Sequence, residues 1–312
     1  MSALDGLSLA LNLASVAFLP FLFAGLINRV KARWAGRRGP RLIQPWFDFV
    51  RLWSKEEVVG TVATAVFRAG PPIGAAAALT AACLVPLAGR SAVWSFEGDF
   101  IVFSYLLAAG KFFSVLASLD TGSSFEGMGA SREAVFSGIA EPAYFIILSS
   151  LAAMNGVTSF RDLVQQVYLG GWLYSVIVAL SAASFFLMLL IEGCRVPVDD
   201  PNTHLELTMI HEVMILDNSG PGLGLVMYSA WLKMTLFAAI IAGILLPSDW
   251  ELMLFTPVFL TILAVTAAVV GTLESIMARL RMVHLPQFAL LVNALALLIF
   301  TVIQLSAFGA PR

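Results

Sequence analysis

The segment EGCRVPVDDPNTHLE, residues 192–206, interrupts the most hydrophobic part of this chain. It follows an apolar run from Trp172 to Ile191 and precedes another from Leu223 to Leu246. Ionisable side chains are expensive next to lipid and rare in chains that cross it. Their concentration between two apolar runs predicts a functional segment at the end of one membrane span and before the next.

The composition of the whole chain is that of a membrane protein. Of its 312 residues, 59% are hydrophobic and 12% are charged, whereas an ordinary soluble domain has about 25% charged residues. A helix that crosses a bilayer needs about 20 largely apolar residues. Eight stretches meet this length, at about 7–30, 71–89, 100–118, 135–155, 172–192, 222–246, 252–272 and 285–308. We therefore predict an all-α polytopic membrane protein with eight transmembrane helices and short amphipathic cytoplasmic helices, forming one integral membrane domain over residues 1–312.

The distribution of Lys and Arg predicts the topology, because basic loops stay on the cytoplasmic side during insertion. Most of these residues fall after odd-numbered spans, in loops at about 31–70, 119–134, 193–221 and 274–284. Asp5 precedes the first apolar run, so the N-terminus does not have the basic start of a cleavable leader. We expect a multi-pass protein of the cell (inner) membrane with both termini on the non-cytoplasmic side.

Nothing in the sequence predicts a metal centre or a nucleic-acid site on this chain. Cys83 and Cys194 are isolated, without a CxxC spacing. His204 and His211 are seven residues apart, but the HExxH pattern of a zinc site is absent. We expect no cofactor bound by this chain.

Several ionisable residues fall inside the predicted spans. Lys111 and Lys233 lie within the third and sixth spans, where a charge costs about 3 kcal/mol or more unless it faces a partner or water. Glu141 precedes Pro142 in the fourth span; the alternative explanation is that this pair only kinks the helix. Glu274 ends the seventh span, where it could simply pair with Arg279 or Arg281.

Within the charged segment, one pair of residues could form an ion pair and another pair could cap a helix. Glu192 and Arg195 are three residues apart and could form a pair if the helix continues through Gly193. Thr203 and Glu206 fit a helix capping box, which would be a complete structural explanation for Glu206.

The first and second cytoplasmic loops contain candidate docking and helix signals. Arg37, Arg38 and Arg41 either contact a partner or only set the topology. Phe49, Leu52 and Trp53 have the spacing of a short helix that lies at the membrane interface. In the second loop, Ser131 is a plausible N-cap for the fourth span.

Motifs in chain order resemble one known family, the NADH dehydrogenase subunit 1 family of complex I, which includes the membrane subunits of group 4 nickel-iron hydrogenases and formate hydrogenlyase. These motifs are RGP at 38–40 with QP at 44–45, LDTGS at 119–123, GASRE at 129–133, E-x-x-R-x-P-x-D at 192–199, DNSG at 217–220 and ESIMAR at 274–279. Three departures favour the hydrogenase branch over a quinone site. Val198 replaces an aromatic residue, Asp217-Asn218 replaces glutamate-tyrosine, and the loop retains only Glu206 of an acidic run.

The resemblance implies a membrane subunit, non-catalytic alone, that docks a soluble redox arm and couples electron transfer to proton or sodium movement. Expected partners are hydrogenase-like large and small subunits, an iron–sulfur protein, antiporter-like membrane subunits and lipid, with the nickel-iron centre and iron–sulfur clusters in those subunits. Alternatives are the quinone-site subunit of a true complex I and a secondary ion transporter. The residues expected on a proton or coupling path are Glu141, Glu192, Arg195, Asp199, Glu206, Asp217, Lys111, Lys233 and Glu274. Those expected to dock the arm are Arg37, Arg38, Arg41 and Arg132.

Overall fold

The computed structural model describes residues 3–87, 92–165, 172–199, 209–247 and 250–309. Its helices are α1 (Ala3–Trp34), α2 (Gln44–Trp53), α3 (Ala65–Leu84), α4 (Asp99–Asp120), α5 (Ser124–Asn155), α6 (Phe160–Gln165), α7 (Trp172–Glu192), α8 (His211–Met214), α9 (Gly220–Leu245), α10 (Leu252–Ile276) and α11 (Leu285–Gly309). A 3₁₀ turn, Met282–His284, precedes α11. Within these ranges all regular structure is helical, which confirms the predicted all-α class.

Seven helices in the described part of the chain are long and apolar enough to cross a membrane: α1, α4, α5, α7, α9, α10 and α11 together with the turn before it. They correspond to seven of the eight predicted spans. The remaining prediction, 71–89, falls on α3, which has 20 residues and is rich in Ala, Gly and Pro. Its small residues let backbones approach closely, as at membrane helix interfaces; a Cβ added at Gly70 would come within 3.2 Å of the carbonyl oxygen of Phe113 on α4.

Successive long helices run in opposite directions, so the loops that connect them lie at the two ends of the bundle. We name the end that carries residues 35–64, 193–199, 209–219 and 277–281 the loop face, and the other end the opposite face. At the loop face, Asp120 accepts hydrogen bonds from the backbone N–H of Thr64 (2.7 Å) and Phe67 (3.0 Å), so the end of α4 caps the start of α3. At the opposite face, Asp99 accepts one from Phe160 N–H at 2.7 Å.

Helix α9 lies at the centre of the bundle, between α1, α3, α7 and α10. Leu232, Leu236, Phe237 and Ile240 on this helix are completely buried. Tyr228 donates a hydrogen bond to the carbonyl of Val16, 2.9 Å away on α1. The helix that follows the charged segment is therefore the axis around which the other helices pack.

Two predicted features near the loop face have different outcomes. The predicted interfacial helix is confirmed as a helix by α2, where Phe49 packs on Phe21 with ring centroids 5.5 Å apart. The prediction of Ser131 as an N-cap is wrong, because α5 begins at Ser124 and Ser131 lies inside it. The Gly-rich sequence suggested a loop, but burial of this segment against residues 209–214 favours the helix.

Because Gly129 has no side chain, α5 can approach residues 209–214 closely. A substitution at Gly129 tests this packing. A Cβ added at Gly129 would lie 2.9 Å from the carbonyl oxygen of Ile210, whereas among the described residues no atom lies within 4 Å of a Cβ at Gly127. Alanine in a helix is otherwise favoured over glycine by about 0.5–1 kcal/mol. We expect Gly127→Ala to leave the melting temperature of the purified protein unchanged or higher, and Gly129→Ala to lower it. Equal shifts in both variants would contradict this packing.

Candidate functional site

Five buried or half-buried charged side chains from four helices meet inside the bundle. We name them the central cluster: Lys111 (α4), Glu133 and Glu141 (α5), Glu192 (α7) and Lys233 (α9). The Lys111 ammonium donates a hydrogen bond to Glu192 Oε1 at 2.6 Å. The same nitrogen lies 3.6 Å from Glu133 Oε1 and 3.8 Å from Glu141 Oε1. Lys233 approaches the other oxygen of Glu192, at 3.7 Å.

Burial differs across the central cluster. The side chains of Lys111 and Glu192 retain 8% and 1% of their exposure, whereas those of Glu141 and Lys233 retain 26% and 18%. Ser137 donates to Glu133 Oε1 at 3.0 Å, one turn along α5. An isolated charge at such a site would be too costly to keep, so each group depends on its neighbours.

The central cluster contains three carboxylates and two ammonium groups. With all five ionised, its formal charge is one negative. Binding of one proton would neutralise it, and the group that carries the proton would depend on small shifts of Lys111 or Lys233. The arrangement can therefore hold and release a proton without covalent chemistry.

The predicted pair between Glu192 and Arg195 is wrong. Helix α7 ends in a Schellman motif, in which Arg195 N–H bonds the carbonyl of Leu190 (2.9 Å) and Cys194 N–H bonds that of Ile191 (3.1 Å). Cys194 takes the left-handed conformation at φ 49° that this motif requires. The reversal directs Glu192 toward α4 and Arg195 toward α10.

Arg195 belongs to a second group of charges nearer the loop face. We name it the rim cluster: Lys31, Arg195, Asp199, Glu274 and Arg279. Glu274 at the end of α10 lies 3.3 Å from Arg195 Nη1 and 2.6 Å from Lys31 Nζ, and its side chain is fully buried. Glu274 therefore holds a cation on each of its two carboxylate oxygens.

Asp199 makes the remaining contacts of the rim cluster. One oxygen lies 3.2 Å from Arg279 Nη2, and the other accepts the backbone N–H groups of Ile210 (2.9 Å) and His211 (3.1 Å). The alternative that Glu274 simply pairs with Arg279 or Arg281 is not what the structure shows. Glu274 pairs with Lys31 and Arg195, and Arg279 pairs with Asp199. These contacts fasten the two described halves of the charged loop to each other and to the end of α10.

Met234 connects the two clusters through α9. Its sulfur lies 3.4 Å from Arg195 Nε, and a Cβ at Gly193 would come within 2.6 Å of the same sulfur. The preceding residue, Lys233, contacts Glu192. Two adjacent residues of α9 therefore contact the two clusters, Met234 the rim cluster and Lys233 the central cluster.

Of the remaining sequence-predicted residues, Asp217 lies outside both clusters. Asp217 is exposed, and its N–H donates to Glu126 Oε1 at 2.9 Å. Glu206 lies outside the described residues, as do Thr203 and His204 of the proposed capping box. Neither explanation for Glu206 is therefore tested.

Sequence reasoning missed Glu133 and Glu126. Glu126 is fully buried in the first turn of α5. Glu126 falls in the predicted second loop and Glu133 at the predicted start of the fourth span, two places where an acidic side chain is expected to be solvated. The helical spacing of Glu133 and Glu141, eight residues apart, was the available signal.

The predicted docking residues differ in exposure. Arg37, Arg38 and Arg41 are exposed on the loop face. Arg132 is half-buried and donates to the carbonyl of Met209 at 2.9 Å, so it also holds the charged loop on α5.

In the described part of the chain, no group of three or more His, Cys, Asp or Glu side chains is placed to hold a metal ion. Burial of the Cys194 thiol raises its pKa well above the ordinary value. This thiol is therefore not poised as a thiolate ligand.

Membrane-length helices that enclose a paired ionic interior define a polytopic all-α membrane protein with its charges organised toward one face. The chain belongs to the NADH dehydrogenase family, whose model matches residues 7–305. This confirms the family resemblance that its motifs indicate.

Two proteins of Escherichia coli (strain K12) are similar to this chain over most of their length. Hydrogenase-4 component C is 31% identical over 265 residues, which cover 84% of this chain and 83% of that protein. Formate hydrogenlyase subunit 4 is 31% identical over 291 residues, which cover 90% of this chain and 92% of that protein. A structure of the membrane-bound sulfane sulfur reductase, an archaeal respiratory membrane complex, contains a chain with the same fold, at a TM-score of 0.80 and 19% identity over 95% of this chain and 98% of that one.

The rim cluster makes a prediction about stability. Glu274→Gln would leave Lys31 and Arg195 without their shared carboxylate, which costs about 3–5 kcal/mol for a fully buried pair and less where water reaches. Lys31 keeps 22% of its side-chain exposure, so we expect the lower part of that range or less. Thermal unfolding of the purified protein measures the effect.

The matched control is Asp48→Asn, which breaks an exposed pair with Arg51 (3.2 Å) on α2. Exposed pairs contribute about 0–1 kcal/mol. A melting temperature that falls as little for Glu274→Gln as for Asp48→Asn would contradict the importance of the rim cluster.

Proposed function

We propose that this chain is the membrane subunit of a complex I-like, group 4 hydrogenase-type respiratory complex. It docks a soluble redox arm at the loop face and couples electron transfer there to proton or sodium movement. The observation that carries the proposal is the central cluster, in which Lys111 Nζ lies within 3.8 Å of three carboxylates inside a membrane bundle. A structural anchor would not need such a cluster.

The contacts of the two clusters suggest how coupling works. Electron transfer in a docked arm changes the charge next to the loop face. A shift of the charged loop would move Arg195 relative to Glu274 and, through Met234, would move Lys233 relative to Glu192. Because the proton affinity of a carboxylate depends on the distance to its cationic partner, each shift would load or release a proton in the central cluster.

The partners follow from the relatives. The two similar Escherichia coli proteins are named as components of a hydrogenase and of a formate hydrogenlyase. We infer that hydrogenase-like large and small subunits and an iron–sulfur protein dock on this chain. The nickel-iron centre and iron–sulfur clusters belong to those subunits, and antiporter-like membrane subunits adjoin it in the bilayer.

The loop face is proposed to be cytoplasmic, because its loops carry most of the basic residues. Both termini then lie on the non-cytoplasmic side of the inner membrane. The exposed Arg37, Arg38 and Arg41 provide the positive surface that an arm would contact.

The central cluster is tested by Glu141→Gln and Glu192→Gln in the whole complex. Glutamine keeps the shape of the side chain and removes the titratable group. In Glu192→Gln, Lys111 keeps Glu133 and Glu141 as partners, so assembly should persist at reduced stability while proton movement per electron falls. Proton uptake in sealed vesicles during turnover measures this, and copurification of the soluble subunits measures assembly.

Asp99→Asn is the matched control for that experiment, because Asp99 is also a buried carboxylate but caps α6 at the opposite face. We expect it to retain normal coupling. Wild-type coupling in both glutamine variants would refute a role of the central cluster in proton movement.

Docking makes a separate prediction. Replacing Arg37, Arg38 and Arg41 together by Ala should release the soluble arm at moderate salt, because exposed charges are screened beyond about 8 Å at physiological ionic strength. The corresponding triple Lys variant keeps the charge and should retain most of the arm. Copurification at increasing salt is the measurement, and equal retention in the Ala variant and the wild type would contradict docking by these residues.

A further inference from the structure

A layer of buried aromatic rings lies directly beside the central cluster. We name it the aromatic layer: Phe103 (α4), Tyr144 (α5), Phe160 (α6), Phe185 (α7) and Phe237 (α9). The Phe237 ring is at its centre, with centroids 6.5 Å from Phe103, 6.2 Å from Tyr144 and 6.4 Å from Phe185. Phe103 also contacts Phe160 edge to face at 5.1 Å. All five side chains are 0–2% exposed.

On α9 and α7, each ring is displaced along the helix axis from a charged member of the central cluster, in the same direction. Phe237 is four residues after Lys233, which places it about 6 Å along the helix axis. Phe185 is seven residues before Glu192, which is about 10 Å along α7. Because α9 leaves the loop face and α7 approaches it, both displacements point toward the opposite face.

On α4 and α5, the rings are likewise displaced from the charges toward the opposite face. Phe103 precedes Lys111 by eight residues on a helix that runs toward the loop face, and Tyr144 follows Glu141 by three residues on a helix that runs away from it. Each of the four helices that supplies a charge to the central cluster therefore also supplies an aromatic ring on its opposite-face side. Ordinary core packing does not require this one-to-one arrangement.

The polar atoms in and around the aromatic layer are consistent with an interruption of any hydrogen-bonded path from the central cluster toward the opposite face. The Tyr144 hydroxyl donates to the carbonyl of Ser104 at 3.2 Å, so its one polar group is tied to a helix backbone. Four residues before Phe185 on α7, the Ser181 hydroxyl is buried and has no partner among the described residues. At the level of the rings, the buried hydroxyls of Ser104 and Ser184 each donate to a carbonyl one turn earlier on their own helix, at 2.9 Å and 2.8 Å. The phenylalanine rings themselves offer no hydrogen-bonding group.

We propose that the aromatic layer is a proton barrier that closes the central cluster toward the opposite face. The proposal rests on the proposed function, since a barrier matters only if the cluster carries protons. A proton needs polar groups or water to move, and burial in an apolar layer removes both. With the layer intact, this chain exchanges protons with the central cluster without connecting the two sides of the membrane directly.

The test is passive proton permeability of the purified complex in sealed vesicles, without substrate. A potassium diffusion potential drives protons inward, and a trapped pH dye reports their entry. Phe237→Ala opens the middle of the layer and should raise the rate roughly tenfold, which corresponds to a barrier lower by about 1.4 kcal/mol. Phe237→Leu refills the space with an apolar side chain and should keep the rate near that of the wild type. An assembled Phe237→Ala complex as tight as the wild type would overturn the proposal.

A double variant separates a path through the central cluster from a general packing defect. Adding Glu192→Gln to Phe237→Ala should return the leak toward the wild-type rate, because the cluster then lacks its most buried titratable group. A leak that is unchanged by Glu192→Gln means that the rings only support packing, which also overturns the proposal.

Assembly and function are controlled independently. Copurification of the soluble subunits checks each variant, and Phe185→Ala, which opens the same layer from α7, takes the place of Phe237→Ala if the latter does not assemble. Failure of the proposed function would appear as normal turnover-linked coupling in both single variants, Glu141→Gln and Glu192→Gln. Failure of the barrier would appear as the absence of a leak, without any turnover.

Discussion

The ion pair between Lys111 and Glu192 is the interaction on which the interior of this protein depends. Its 2.6 Å contact joins the middle of α4 to the end of α7, and both side chains are almost completely buried. Either charge without an oppositely charged neighbour would be severely destabilising at this depth. The remaining members of the central cluster are arranged around this pair: Glu133 and Glu141 share the ammonium of Lys111, and Lys233 shares the carboxylate of Glu192.

The turn after α7 divides the charges into two groups. Glu192 and Arg195 are neighbours in sequence, yet the left-handed residue Cys194 sends them to different partners on different helices. The rim cluster holds the charged loop, the central cluster lies deeper, and α9 touches both through Met234 and Lys233. The two groups are thus distinct, and α9 is the element that contacts both.

The bundle is also asymmetric along the membrane normal. The rim cluster lies near the loop face, the central cluster lies deeper, and rings from the four helices of the central cluster follow toward the opposite face. The central and rim clusters thus lie on the same side of the aromatic layer. For a member of the NADH dehydrogenase family, this separation suits a subunit whose charges respond to an attached redox arm.

The sequence by itself determined the class, the family and most of the intramembrane charges. Long apolar runs have few alternatives to helices in lipid, and a lysine or glutamate within such a run stands out because its burial is costly. Lys111, Glu141, Glu192 and Lys233 could be found in this way. Only the tertiary structure decided which charges pair, because the partners are distant in sequence and one backbone turn, at Cys194, reversed the local expectation for Arg195. It also decided that residues 124–134 are helical and that Glu133 faces Lys111, since contacts with residues 209–214 outweigh the local preference of a Gly-rich segment.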